Sequence, residues 1–546
     1  MAHPTSSGRS LAGNTIIATT LHVTSALIVL CITPYALHRL GLELYGLWAL
    51  LNTLTRYSLV ADFGLGPSVT RHVAQYAVRA QKTTVRAITT IGTVYYLVIA
   101  LLLFVIAHVA APAAFMHLSL SPDLRPIAPG LFLALLGAAL CNMVCWMSPS
   151  ATLCGLGTYR YVSAINALAV FVYTITAAAL LTLGWGVTSL VIAAYMQSLV
   201  AAVIGFVTLS RVSGDGVYTL PWKIPPRLFR EILAFGGWLQ IGTLANLAIY
   251  DAPPLIIGSE LGVAAVGIFD VGSRLARALR VLSYNFNSAL LPTFSSRHEE
   301  GGGEHLLSLL PQAMRIMATI SCVAMGLLIA LAPIILHIWL GRHAFTLSVS
   351  VPVLGHEYLI PLIEIVLTAS ALTYTLDTLV SIAATAVRGL GKPWLEACNS
   401  VTYAILSIAL SLLFTPYLGL SGTVLAIFLA SMSGATLFTV ISAKQGGFSL
   451  RHIFGNWFRP LISSTILTIF VVGIAARQSF LVHGSVHVLL AAALIGGVIY
   501  MVLFTTLLRV QRFFSEADFQ AILTLTPARL GTFLTSPIIR KIFLPS

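Results

Sequence analysis

The 546-residue chain carries a formal charge of +13, yet only 9% of its residues are charged and 58% are hydrophobic. Soluble domains carry roughly 25% charged residues and use them to cover a core. With a mean hydropathy of +0.94, the chain is excluded from the soluble enzymes and nucleic-acid-binding proteins and has to live in lipid.

The apolar residues come in runs that reach the ~20 residues a helix needs to cross the hydrocarbon. They lack the alternation in ~10-residue segments that marks a lipid-spanning barrel. An all-α integral membrane fold with about fourteen transmembrane helices is therefore expected. The first six spans fall near 15–37, 44–66, 87–111, 127–150, 161–183 and 187–210. Six more fall near 231–257, 262–290, 313–337, 359–386, 394–416 and 419–442, and a last pair near 457–476 and 484–508. Arg9 precedes the first span, whose apolar stretch is longer than a signal-peptide core, and no cleavage pattern follows. It is expected to stay as a span.

Cytoplasmic loops carry an excess of Lys and Arg, which tests this topology. With the N-terminus inside, 22 of the 30 basic residues fall on inner segments and four, Arg39, Arg125, Arg342 and Arg477, on outer ones. One missed span would mix the two sets. Both termini are thus expected in the cytoplasm, and the positive charge suits anionic inner-leaflet lipid rather than nucleic acid. No extramembrane stretch is long enough for a separate enzyme domain. The tail from about 509, with Phe513, Phe514, Phe519 and Leu523, suits either a mobile segment or a helix lying on the membrane.

The six cysteines, at 31, 141, 145, 154, 322 and 398, fall within or beside spans and read as buried, inert thiols. His483 and His487 share a helical face without a third ligand nearby, so neither a metal nor a cofactor is expected.

Internal repetition organises the spans. LGLELYGLWAL (40–50) and LGVAAVGIFDV (261–271) align at an offset of 221, placing Leu40-Gly41 over Leu261-Gly262, Gly46 over Gly267 and Trp48 over Phe269. SATLCGLGTYRY (150–161) aligns with AATAVRGLGKPW (383–394), and Leu183-Gly184 with Leu418-Gly419. Six spans separate the partners, an even number, so the two halves keep one orientation and are expected to surround a central site. The expected organisation is a six-helix half at 1–228, a second at 229–456, a helix pair at 457–508 and a basic tail at 509–546.

The segment LGLELYGLWALLNTLTRYSLVADFGLGPSVTRHVAQ (40–75) resembles the second-helix region of the bacterial lipid-linked oligosaccharide flippases. These are polysaccharide biosynthesis transporters of the multidrug/oligosaccharidyl-lipid/polysaccharide exporter superfamily. The stretch from Asp251 through Val266-Gly267-Ile268-Phe269 to Arg274 resembles its counterpart in the second half, and the two GLG motifs at 155–157 and 389–391 fit the same family. The extra helix pair is similar to the fourteen-helix plan of the lipid II flippases. The resemblance implies that the chain moves a polyprenyl-pyrophosphate-linked oligosaccharide to the outer leaflet by alternating access. Its partners would then be that lipid-linked glycan, membrane lipids, and a glycan polymerase or other assembly proteins.

Charges inside the membrane cost ~2.5–3.5 kcal/mol on insertion scales and so mark function. Asp270, Arg274, Arg277 and Arg280 form one stripe on the eighth span, and Arg56 lies on the second. The 221-residue offset maps Arg56 onto Arg277. Guanidinium stays ionised and grips phosphate oxygens with two N–H groups, so Arg56, Arg274, Arg277 and Arg280 are the candidate pyrophosphate-binding residues. Local pairing of Asp270 with Arg274 would still leave Arg56, Arg277 and Arg280 as excess positive charge. Asn52, Tyr57, Asn246, Tyr250, Tyr284, Asn285 and Asn287 are candidate sugar contacts. Asp62, Asp251, Asp270, Glu364 and Asp377 are candidate cavity or ion-coupling acids, with Pro253-Pro254 expected to break the helix beside Asp251. There is no G-x-x-x-x-G-K-[ST] motif for ATP. Two alternatives remain: a multidrug or metabolite antiporter, which would favour acidic cavity residues, and a glycan-assembly enzyme, which would need a large outer loop.

Overall fold

The computed structural model describes residues 8–214, 218, 226–278, 280, 310–341, 348–353, 356–389, 392, 394–446, 450–475 and 486–514. Tyr284, Asn285, Asn287, His483 and the tail positions Phe519 and Leu523 lie outside them.

Backbone in hydrocarbon has to satisfy its own hydrogen bonds, and the described apolar runs do so as helices. In the first part of the chain these are α1 (Gly8–Arg56), α2 (Leu65–Val78), α3 (Lys82–Met116), α4 (Ala128–Asn142) and α5 (Ser148–Gly155). Then come α6 (Tyr159–Thr182), α7 (Thr188–Ser213), α8 (Pro226–Tyr250), α9 (Ala252–Glu260) and α10 (Val263–Arg277). Farther on are α11 (Leu310–Ala330), α12 (Ala332–Leu340), α13 (Leu362–Gly389), α14 (Trp394–Gly446), α15 (Leu450–Ala475) and α16 (Val486–Val510). The hydroxyls of these helices mostly turn back onto the carbonyl four residues earlier, as Thr53 does on Ala49 and Thr375 on Ala371. That bond lets Ser and Thr lie buried among apolar neighbours.

Nine stretches among the described residues are long and apolar enough to cross a bilayer. Two of them, Val23–Asp62 and Trp394–Lys444, hold 40 and 51 residues, about twice what one crossing uses. Each is broken by a glycine in a left-handed conformation, Gly41 (φ 76°) and Gly419 (φ 58°), and so supplies two spans. Their repeat partners, Gly262 (φ 85°) and Gly184 (φ 81°), bend the chain in the same way. All fourteen expected spans fall on described helices, with α10, expected to reach 290, described to Arg277.

Three local features depart from a simple row of spans. The second span leaves α-helix at Arg56, continues as a 3₁₀ segment from Tyr57 to Asp62, and turns through left-handed Phe63 and Gly64. The following α2 lies where only a loop was expected; Leu65, Val69 and Val73 share its buried face. A hairpin, β1 (Ser348–Val353) antiparallel to β2 (His356–Pro361), pairs Ser348 with Pro361 and Val353 with His356 in the expected outer loop before α13. Of the cysteines, only Cys322 is fully buried; Cys31, Cys141, Cys145 and Cys398 are exposed on helix surfaces. The expectation of buried thiols therefore holds for one position and fails for these four, which face outward from their helices.

Two compact units divide the chain, Met1–Asp270 and Val271–Ser546. In the first, α2 is tied to α8 by Ser68 Oγ donating to Ile232 O at 2.6 Å and to α5 by Thr70 Oγ1 donating to Ala151 O at 3.1 Å. In the second, the terminal pair α15–α16 is locked onto α11. The Tyr500 hydroxyl lies 2.9 Å from Ser464 Oγ and 3.2 Å from Thr468 Oγ1, while Ser464 Oγ donates to Cys322 O at 2.6 Å. Phe504, Leu508 and Leu467 close an apolar shell around this knot. Tyr500→Phe removes the bonds of the phenol hydroxyl, leaves that from Ser464 to Cys322, and should cost about 1–2 kcal/mol. Hydrogen exchange in α16 should then accelerate; exchange unchanged from wild type would contradict the anchoring role.

Candidate functional site

Pro253 and Pro254 remove two backbone N–H groups and clash with the carbonyls four residues before them. Accordingly α8 ends at Tyr250, and α9 starts at Ala252 with proline in its first turn. Asp251 sits in the break, with its N–H donating to Leu247 O at 2.8 Å. Its side chain is buried, and Arg56 Nη1 reaches Asp251 Oδ1 at 3.3 Å. Arg56 is thus a paired cation here rather than the surplus charge expected from the sequence. The burial of the pair is one-sided: the Arg56 side chain is 56% exposed and that of Asp251 only 5%.

The exposed side of Arg56 faces a cavity of about 250 Å³. The end of α1 contributes Asn52 and Thr55 and the 3₁₀ segment after it Ser58 and Leu59; α4 and the π-helical turn after it contribute Asn142, Met143 and Met147; α7 contributes Ala194, Gln197 and Ser198. Asn52 and Arg56, chosen from sequence, meet here. Asn142, Gln197 and Ser198 were missed: each is a single neutral group in an apolar helix, with no charge to single it out. Asn52 Nδ2 donates to Trp48 O at 3.0 Å, which leaves its carbonyl toward other donors. Tyr57 opens the 3₁₀ segment, half-buried beside Arg56.

Other candidates lie elsewhere in the first unit. Asp62 accepts from Tyr96 Oη and from the Gly66 N–H, closing the turn into α2. Asp270 Oδ2 accepts from Tyr45 Oη at 2.8 Å, joining α10 to α1. The two helices cross just there. A Cβ on Gly46 would fall 1.8 Å from Val263 O, and one on Gly267 would fall 3.2 Å from Gly46 Cα. The glycines that the repeat aligned are therefore in contact with each other. Asn246 is exposed on α8, and Tyr250 is half-buried next to Asp251.

The second unit holds its own polar group. Arg280 lies 5.9 Å from the Tyr374 ring centroid, and Asp377, one turn farther along α13, accepts from Ser431 Oγ of α14 at 3.0 Å. Arg274 and Arg277 stand in the last turn of α10, half-buried. Glu364 occupies the first turn of α13. The arginine set thus divides between the units, with Arg56 in one and Arg274, Arg277 and Arg280 in the other.

A family model described as polysaccharide biosynthesis protein matches residues 11–298. No curated protein matches the chain. Among solved structures, the lipid II flippase MurJ in an inward closed conformation is similar over 90% of this chain and 99% of its own, with 13% identity and a TM-score of 0.67. An inward-facing multidrug resistance MATE family transporter of the MOP superfamily covers 79% of this chain and 98% of its own, at 15% identity and TM-score 0.63. A MOP superfamily transporter from Pyrococcus furiosus, described as having a binding pocket of reverse polarity, covers 80% and 94% at 16% identity and TM-score 0.51. At such identities the likeness establishes a shared multi-span fold.

Proposed function

Because the chain belongs to the polysaccharide biosynthesis protein family, we propose that it flips a polyprenyl-pyrophosphate-linked oligosaccharide from the inner to the outer leaflet of a bacterial cytoplasmic membrane. The observation that carries this reading is the Arg56 cavity. A guanidinium held from behind by Asp251 presents its remaining N–H groups to a pocket lined by amides and hydroxyls. Phosphate takes the first kind of donor and sugar hydroxyls pair with the second. At about 250 Å³ the space is below the ~300–1,000 Å³ of whole-ligand sites, so it suits part of a head group.

Pairing with Asp251 also suggests how loading is felt. A pyrophosphate oxygen competes with Asp251 for Arg56, so loading would exchange one contact of the buried carboxylate and leave room for a coupling ion beside it. Asp251 is thus the first choice for ion coupling. Asp377, hydrogen-bonded to Ser431, is the choice in the second unit. Arg274, Arg277 and Arg280 are proposed to take the head group as it passes. The distribution of basic residues supports a topology with both termini in the cytoplasm. A drug antiporter is the weaker reading, because a cationic drug needs an acid to meet it and Asp251 is buried behind Arg56.

Depletion of the protein from its host should leave lipid-linked oligosaccharide accumulating with its glycan on the cytoplasmic face. Normal surface glycan in depleted cells would contradict the proposal.

A further inference from the structure

On a different face of the first unit lies an apolar groove of about 560 Å³, open to the side. Thr90, Thr93 and Val94 of α3 form one wall and Ala202, Val203, Phe206 and Val207 of α7 the other, with Val144 and Cys145 at the back. Tyr218 covers one end, stacked on Phe206 with ring centroids 6.3 Å apart and hydrogen-bonded to Thr93.

Each wall helix carries an arginine one turn beyond the residues that line the groove. On α3, Arg86 precedes Thr90 by four residues and Val94 by eight, so the three share one face. On α7, Arg211 follows Val207 by four and Val203 by eight. Eight residues of helix rise about 12 Å, within one leaflet of a hydrocarbon core ~30 Å thick. By that spacing Arg86 and Arg211 stand about 6 Å beyond the nearest lining residue of their helices, so the groove is short enough to fit within one leaflet.

We propose that this groove binds one acyl chain of an anionic phospholipid, with the phosphate held at Arg86 and Arg211. An apolar trough beneath two cations matches an amphiphile with an anionic head, and the two arginines hold that head where it is. The Arg56 cavity lies on other faces of the same elements. Met143 and Met147 of the π-helical turn line that cavity while Val144 and Cys145 line the groove. A lipid in the groove therefore bears on a wall of the transport cavity, and π turns of this kind often mark functional positions. Naming the leaflet as cytoplasmic rests on the topology proposed above; the binding itself does not depend on flipping.

The test is native mass spectrometry of the purified full-length chain titrated with phosphatidylglycerol, phosphatidylcholine or polyprenyl phosphate. Wild type should retain phosphatidylglycerol at least about tenfold better than phosphatidylcholine. The double variant Arg86→Gln/Arg211→Gln should lose that preference, and Val203→Trp, which fills the groove, should lose phosphatidylglycerol altogether. Melting in phosphatidylcholine should match wild type for at least one of the two. Equal phosphatidylglycerol binding in wild type and both variants would overturn the site. Binding of polyprenyl phosphate with exclusion of phosphatidylglycerol would overturn the proposed occupant and make the groove a substrate-tail site. Because no arm measures transport, failure here leaves the flippase reading intact, and failure of that reading leaves the lipid site standing.

Discussion

Arg56→Lys is expected to cut glycan export to about one-tenth of wild type or less while leaving the protein folded. Lysine keeps a cation beside Asp251 but replaces a planar fork of N–H donors by a single ammonium. Loss of a bidentate, charge-assisted contact to phosphate costs at least about 1.4 kcal/mol, or tenfold. Arg56→Ala is the poorer probe because it confounds two effects. It removes one partner of a carboxylate whose side chain is only 5% exposed. A fully buried pair loses ~3–5 kcal/mol on such truncation; with Arg56 56% exposed, about 2 kcal/mol is expected. The informative readout is surface glycan per folded molecule, with folding followed by size-exclusion chromatography and melting. Full export by the lysine variant would remove Arg56 from the head-group site.

Among the described glycines of the first unit, Gly46 is where replacement by Ala should destabilise most. The new Cβ would lie 1.8 Å from Val263 O, a backbone atom that cannot rotate away. The α1–α10 crossing has to open, and with it the hydrogen bond from Tyr45 to Asp270. Overpacking of this kind costs about 3 kcal/mol or more. The variant should melt well below wild type and accumulate poorly in the membrane. Gly130→Ala, at a glycine with open space around its Cβ position, serves as the control. Equal melting of the two variants would mean that the crossing is looser than its geometry implies.

These residues also illustrate which parts of the molecule can be read from the chain alone. The spans were legible because hydrocarbon leaves an apolar run one way to fold, and the break at Asp251 was legible because two prolines forbid a continuous helix. The repeat matched Gly46 with Gly267 as like positions in two halves. That they touch is a packing outcome which alignment does not contain. The Arg56–Asp251 pair joins residues 195 positions apart in sequence, with no local signal for either partner. Asn142 and Gln197 were hidden for a related reason, since a neutral amide in an apolar helix acquires meaning only from the helices around it. The hairpin at Ser348–Pro361 was overlooked because its six-residue strands fall far below the length of a membrane run. The π turn at Met143–Met147 has no residue pattern that distinguishes it from ordinary helix.

The proposed cargo is a lipid-linked glycan whose phosphate passes Arg56. The direct measurement uses the purified protein in liposomes containing a fluorescent polyprenyl-pyrophosphate-linked oligosaccharide, with translocation read by quenching from one side. Wild type should move this lipid, a cationic dye should neither be transported nor compete, and Arg56→Lys should slow the movement at least about tenfold. Transport of the dye without movement of the glycolipid, or glycolipid flipping at the wild-type rate by Arg56→Lys, would contradict the account.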